Sequence, residues 1–284
     1  MKKYSLYIGG ILILALVSST QAAVPPPGPP INGIKTNARL FNDFSTTTLT
    51  IVNGNSVNLG APSSVTIDES LFTDDGVGGN FANRHDLTLS GDAGVTNQVF
   101  NIDASYTVSA LVTLAAGSNA PRKEGGLRIN SPVTGDALFL VNTDAGEIVA
   151  FGGGAPFFSF SSGAQPDYVP GTQILMGYTM IGAGDGAGPG QNTMEYFIDR
   201  DGPGAAFGLE TSGPLPWTNL EGGPLNYNVA LYNQIAPNLA NSSEFLAGDF
   251  NDIRYAAIPE PASAILGLMG IVGLAASRRR SARI

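Results

Sequence analysis

The chain has 284 residues, 13% of them charged, with 37 glycines and 19 prolines; turn residues at that density exclude a helical bundle, while the supply of Val, Ile, Leu, Phe and Tyr excludes disorder throughout. Cysteine is absent, which excludes disulfides, thiolate metal ligands, acylated cysteine and a cysteine nucleophile. Between Val24 and Ile258 eight basic residues stand against 22 acidic ones, a net −14, and a surface of that sign repels phosphate backbones, which argues against nucleic acid as a partner.

At the N-terminus, Lys2 and Lys3 precede an apolar run from Leu6 to Val17 and a small-residue stretch from Ser18 to Ala23. Charged, apolar and small segments in that order read as a secretory signal peptide over residues 1–23, a helix handed to the Sec export machinery and cleaved after Ala22 or Ala23. The run is shorter than the roughly 20 residues that span a bilayer, which weighs against a permanent anchor. Residues 24–37 open on a proline-dense stretch, Val24 to Pro30, and read as a polyproline-like spacer.

From Ala38 the apolar residues come in short runs with period-two stretches, separated by Gly, Asn, Asp and Pro clusters, which is the rhythm of antiparallel strands. The expected strands are Thr48 to Val52, Ser64 to Ile67, Asp86 to Ser90, Gln98 to Ile102, Tyr106 to Leu114, Gly126 to Ile129, Ala137 to Asn142, Glu147 to Phe151, Gln173 to Met180, Met194 to Asp199, Asn228 to Asn233 and Gly248 to Tyr255. Outside the two ends no long window shows a helical period. The expectation is all-β: one antiparallel β-sandwich over residues 38–257, with helix confined to the N-terminal signal and a single C-terminal transmembrane helix.

At the C-terminus, Ile258-Pro259-Glu260-Pro261-Ala262-Ser263 runs into a Gly-spaced apolar stretch from Ala264 to Ala276, and Ser277 is followed by Arg278, Arg279 and Arg280. An apolar helix of that length just crosses a bilayer when flanking residues snorkel, and the arginines hold its end at the cytoplasmic face. Pro259 and Pro261 keep the preceding segment extended, a form that suits a protease cleft. Three parts in this order resemble the PEP-CTERM sorting signals of exosortase substrates. The resemblance implies that residues 258–284 are a sorting signal in which Pro259, Glu260 and Pro261 are recognised by an exosortase. It further implies that the chain is held transiently in the inner membrane, cut near that motif, and then released or tethered at the cell surface or outside the cell. The competing reading is a permanent anchor with an incidental Pro-Glu-Pro.

Between Ile102 and Tyr255 the order of features resembles the concanavalin A-like, or laminin-G-like, jelly-roll superfamily. A long strand, Tyr106 to Leu114, is followed by Gly125-Gly126-Leu127-Arg128-Ile129, by Ala137 to Val141, by Glu147 to Phe151, by a turn at Asp199-Arg200-Asp201-Gly202, and by Asp249 to Arg254 as the closing strand. The resemblance implies binding of carbohydrate or exopolysaccharide.

Residues with chemical potential have simpler readings. Glu195 and Asp199 share a strand face by even spacing, as a pair of glycosidase carboxylates would, but Asp199 also starts the Asp-Arg-Asp-Gly turn. Asp199 and Asp201, or Asp74 and Asp75, offer the oxygen ligands that calcium takes. Neither pair continues into a full metal loop, and ordinary Asx turns are the stronger reading, as for Asp249, Asn251 and Asp252. No metal is assigned and no cofactor is expected, calcium through Asp199 and Asp201 being the sole candidate. Gly182 to Gly188 reads as a surface loop, His85 as a lone surface histidine without a triad, and Phe157, Phe158, Phe160, Tyr168, Trp217, Tyr227 and Tyr232 as core aromatics rather than a sugar platform. The expectation is a non-enzymatic exported protein; the rivals are a secreted glycan-active enzyme and a purely structural matrix component.

Overall fold

A computed structural model describes residues 28–39, 46–52, 64–70, 83–101, 103–131, 135–161, 163, 166–182, 192–201, 208–217, 226–235 and 245–258. Among them sixteen strands, numbered in chain order, form two sheets. Sheet one runs β1 (Gly33–Arg39), β4 (Asn83–Ser90), β15 (Asn226–Ile235), β7 (Lys123–Ser131), β8 (Gly135–Asn142), β9 (Ile148–Phe151), β10 (Phe158–Ser159), with β5 (Phe100–Asn101) beside β15. Sheet two runs β13 (Glu210–Thr211), β12 (Thr193–Asp199), β11 (Gln173–Ile181), β6 (Tyr106–Ala116), β16 (Phe245–Ala257), β3 (Ser64–Ser70), β2 (Thr46–Val52), with β14 (Leu215–Pro216) beside β12. All pairings are antiparallel, and the fold is the expected all-β antiparallel sandwich. The two terminal helices fall outside the described residues.

All twelve expected strands are present, mostly longer than the sequence marks; Gly126 to Ile129, for example, is the middle of β7. Strand β1 corrects the spacer reading of residues 24–37, because the chain is already paired to β4 from Gly33 onward. The sequence hides β1 because it is an edge strand in which Ile34 is the one deep apolar side chain among the described residues. Strands from before Ile102 enter both sheets: β1 and β4 in sheet one, β2 and β3 in sheet two.

The core lies between the sheets. Strand β6 turns Tyr106, Val108, Ala110, Val112 and Leu114 inward at every second residue, toward Leu87, Leu127, Phe139, Val229 and Leu231 of sheet one. Strand β16 holds its inward set through a bulge. Leu246 and Phe250 are buried at even positions, then one extra residue between Asn251 and Arg254 moves the buried set to the odd positions Ile253 and Tyr255. Asp252 supplies the bulge with φ of 47°, a left-handed conformation that aspartate tolerates better than most residues.

At one end of the core Phe100, Tyr106, Tyr178, Tyr227 and Tyr255 interlock, with ring centroids 4.9 Å apart for Phe100 and Tyr106 and 5.9 Å for Tyr106 and Tyr178. Burial holds the Tyr106 and Tyr178 hydroxyls well above the ordinary value of 10. At the other end, Tyr168 accepts a hydrogen bond from the Leu114 amide at 2.7 Å and donates to the Thr172 carbonyl at 3.0 Å. Burial pushes its hydroxyl up to about 12 although the Leu114 bond opposes the shift.

Two outcomes follow. Asp252→Val is expected to lower unfolding stability by about 1–2 kcal/mol in urea denaturation, whereas Asp252→Gly stays within about 0.5 kcal/mol; equal losses would contradict a left-handed bulge. Because the tyrosine values are raised by folding, their stabilisation is complete below the ordinary value and is lost as pH rises through the folded values. Absorbance titration should therefore show these tyrosines ionising together with unfolding in alkali, not one by one near pH 10 in the native state.

Candidate functional site

The outward side of sheet one carries an ordered set of charges. Strand alternation that sends Leu87 and Leu89 inward sends Arg84, Asp86 and Thr88 to the outer side on β4, and the same parity places Tyr232 on β15, Arg128 and Asn130 on β7, and Asp136 and Leu140 on β8 on that side. Arg128 lies opposite Ala230, and that small side chain lets its guanidinium pass over β15 to reach β4. Arg128 donates to Asp86 Oδ2 at 2.8 Å and to Asp136 Oδ1 at 2.5 Å. Arg84 donates to Asp136 Oδ2 at 2.6 Å and its Nε lies 3.5 Å from Asp86 Oδ2. The two arginines and two aspartates thus close a ring of alternating charge, and Asn130 adds a 2.7 Å bond to Asp136.

The ring is deep: Arg84, Asp86 and Arg128 are 9%, 7% and 7% exposed. Burial pushes the Asp86 carboxyl above its ordinary value despite both arginines. Burial pulls Asp136 the same way, but hydrogen bonds from Arg128 and Asn130, with the arginine charges, hold it below. Buried polar atoms are normally bonded, yet Arg84 Nε, Arg128 Nε and Asp86 Oδ1 have no hydrogen-bond partner among the described residues. Beside the ring Tyr232, Leu140 and Val149 form an apolar strip, flanked by Leu138 and Phe151. Tyr232, Leu140 and Val149 are themselves buried, so the apolar surface beside the ring is that of the half-buried Leu138 and Phe151. Each arginine is held in place by two carboxylates.

None of these four ring residues stands out in the sequence as a motif. Their signal is a pattern, charges at alternate positions of neighbouring strands whose other side is apolar. His85 corrects the surface reading: it is buried on β4, on the core-facing side opposite Asn233, and its polar neighbours Arg84 and Asp86 concealed its inward position. Of the Gly182 to Gly188 stretch, only Gly182 is among the described residues, and it is not at the surface. It is buried at the end of β11, its amide donating to Ser105 Oγ at 3.0 Å, and a Cβ there would lie 1.8 Å from the Asp103 carbonyl oxygen.

Glu195 lies opposite Thr179 on sheet two. Asp199 takes the Asx-turn geometry, accepting weakly from the Asp201 amide at 3.4 Å, and burial and the Asp201 side chain raise its carboxyl. Among the described residues no three acidic or histidine side chains converge to hold a metal. Asp249 accepts from Thr66 Oγ1 at 2.6 Å, and Asp252 accepts from Arg254 at 2.8 Å. Phe160, Tyr168, Trp217, Tyr227 and Tyr232 are buried, whereas Phe157 is exposed. Asp74, Asp75, Ala22, Ala23, Pro259, Glu260, Pro261, Arg278, Arg279 and Arg280 lie outside the described residues.

The last described residue, Ile258, donates its amide to the Ser105 carbonyl at 3.0 Å. From there the tail matches the model of the PEP-CTERM protein-sorting motif over residues 257–281, so the tail carries the sorting motif of an exported exosortase substrate. No curated protein matches the chain. Among solved structures, the sandwich is similar to the alginate lyase AlgAT5 of polysaccharide lyase family 7 (12% identity, TM-score 0.46, covering 72% of this chain and 82% of that one). It is similar also to an alginate lyase from Corynebacterium sp. (11%, 0.45, 72% and 85%) and to a Bauhinia forficata lectin bound to GalNAc (9%, 0.37, 79% and 99%).

The ring predicts unequal costs for two arginine deletions. Arg128→Ala leaves the buried Asp86 with only the 3.5 Å approach of Arg84 Nε to offset its charge and is expected to cost about 3–5 kcal/mol in urea denaturation. Arg254→Ala, whose side chain is 67% exposed beside Asp252, should cost about 0–1 kcal/mol.

Proposed function

We propose that this protein is exported by the Sec machinery, held in the inner membrane by its tail, cut by an exosortase, and left at the cell surface or in the extracellular matrix as a polysaccharide-binding protein. The sorting motif at residues 257–281 is the observation that carries the reading. Its outer face of sheet one is the binding surface. A sugar ring has an apolar face and a rim of hydroxyls, and the half-buried Leu138 and Phe151, which edge the buried Tyr232, Leu140 and Val149 cluster, lie beside an Arg-Asp ring that fixes donors and acceptors in place. The net −14 between Val24 and Ile258 favours neutral glycans over acidic ones.

A binding role is preferred to turnover because the charged groups of this face are held in ion pairs with one another, and because Asp199, the partner that Glu195 needs for glycoside hydrolysis, is engaged in its own turn. The alternative of a purely structural matrix component lacks any use for the ring.

Retention of the purified protein on immobilised neutral polysaccharides, compared with acidic ones, tests the binding. Arg128→Lys keeps the charge but loses the fork that bridges Asp86 and Asp136, and a tenfold loss of affinity, about 1.4 kcal/mol, is expected at an unchanged fold by circular dichroism. No retention on any polysaccharide would remove the binding role and leave the structural one.

A further inference from the structure

The two ends of the sandwich's chain meet on one backbone atom. Gly28 and Ile258 both donate their amides to the Ser105 carbonyl, at 2.9 Å and 3.0 Å. Ser105 is buried, and its hydroxyl also holds Gly182. The N-terminal strap at Gly28 is pressed against the last strand: a Cβ there would lie 2.1 Å from Tyr255 Oη and 3.0 Å from Tyr106 Cβ, so only glycine passes. Ala257 is still paired with Tyr106, and the sorting motif begins at that same residue. Pro259 follows Ile258 with no intervening linker.

A protease cleft binds an extended peptide on both sides of the bond it cuts, using backbone hydrogen bonds of the β-strand kind. On the N-terminal side of Pro259 the residues available for that purpose, Tyr255 to Ile258, are already committed to β6 and Ser105. We propose that the Gly28 strap and the Ser105 carbonyl form a clasp that withholds the sorting motif from the processing protease until the end of β16 is released. The clasp rests on the exosortase reading above. It makes folding and processing compete for the same four residues, Tyr255 to Ile258.

The test is the rate at which the full-length chain loses its tail in exosortase-bearing cells, followed by pulse-chase. Inserting a flexible ten-residue Gly-Ser segment between Ile258 and Pro259 supplies free peptide without touching the clasp, and Gly28→Val forces the strap away from Tyr255. Both are expected to shorten the half-time at least threefold. Glu260→Ala serves as the control for motif recognition. Unchanged or slower processing in both variants, with Glu260→Ala blocking it, would overturn the clasp and leave the sorting reading standing. A parent chain that is never cut would overturn both.

Discussion

Sheet two depends on the pairing of β16 with β6. The last strand in the chain is inserted between β6 and β3, so one half of the sandwich stays open until residues 245–257 arrive. The pairing survives an extra residue only because Asp252 absorbs it in a left-handed bulge, which keeps Ile253 and Tyr255 pointing inward. A protein whose sorting motif starts at residue 257 therefore completes its fold with the residues that adjoin its address. For an exported chain this ties structural completeness to the moment at which the tail is presented.

The two outer faces of the sandwich differ in kind. Sheet two shows solvent partly buried residues such as Thr107, Leu111, Glu195 and Phe197. Sheet one shows a charge ring in which Arg84, Asp86 and Arg128 are nearly as buried as the core and Asp136 is half-buried. Ion pairs at that depth contribute little net stability, because desolvation offsets most of the attraction. Their value lies in fixing direction: each guanidinium in the ring is held by two carboxylates. That is the property a recognition surface needs, and an acidic protein without cysteine or a metal cluster among its described residues has few other ways to build one.

Much of this was legible in the sequence, and the exceptions have physical causes. Period-two runs such as Tyr106 to Leu114 identify half-buried strands because one face must meet the other sheet. Strand β1 escapes because an edge strand whose one deep apolar side chain among the described residues is Ile34 lacks that pattern, and β10, β13 and β14 are two-residue pairings that leave no period at all. His85 was misplaced because the face of a strand is set by register with Leu87 and Leu89, not by the polarity of the adjacent Arg84 and Asp86. The Arg84, Asp86, Arg128 and Asp136 ring was hidden for a related reason: its members come from three strands, and only the sheet order β4, β15, β7, β8 brings them together. Linear motifs announce themselves in sequence, as Pro259-Glu260-Pro261 does, because the peptide itself is what is read.

The most direct measurement is the intact mass of the mature protein from cells with and without the exosortase. A chain ending near Pro259 to Pro261 only when the enzyme is present is the predicted result. A chain that retains Ile284 in both cells would contradict it and make the tail a permanent membrane anchor.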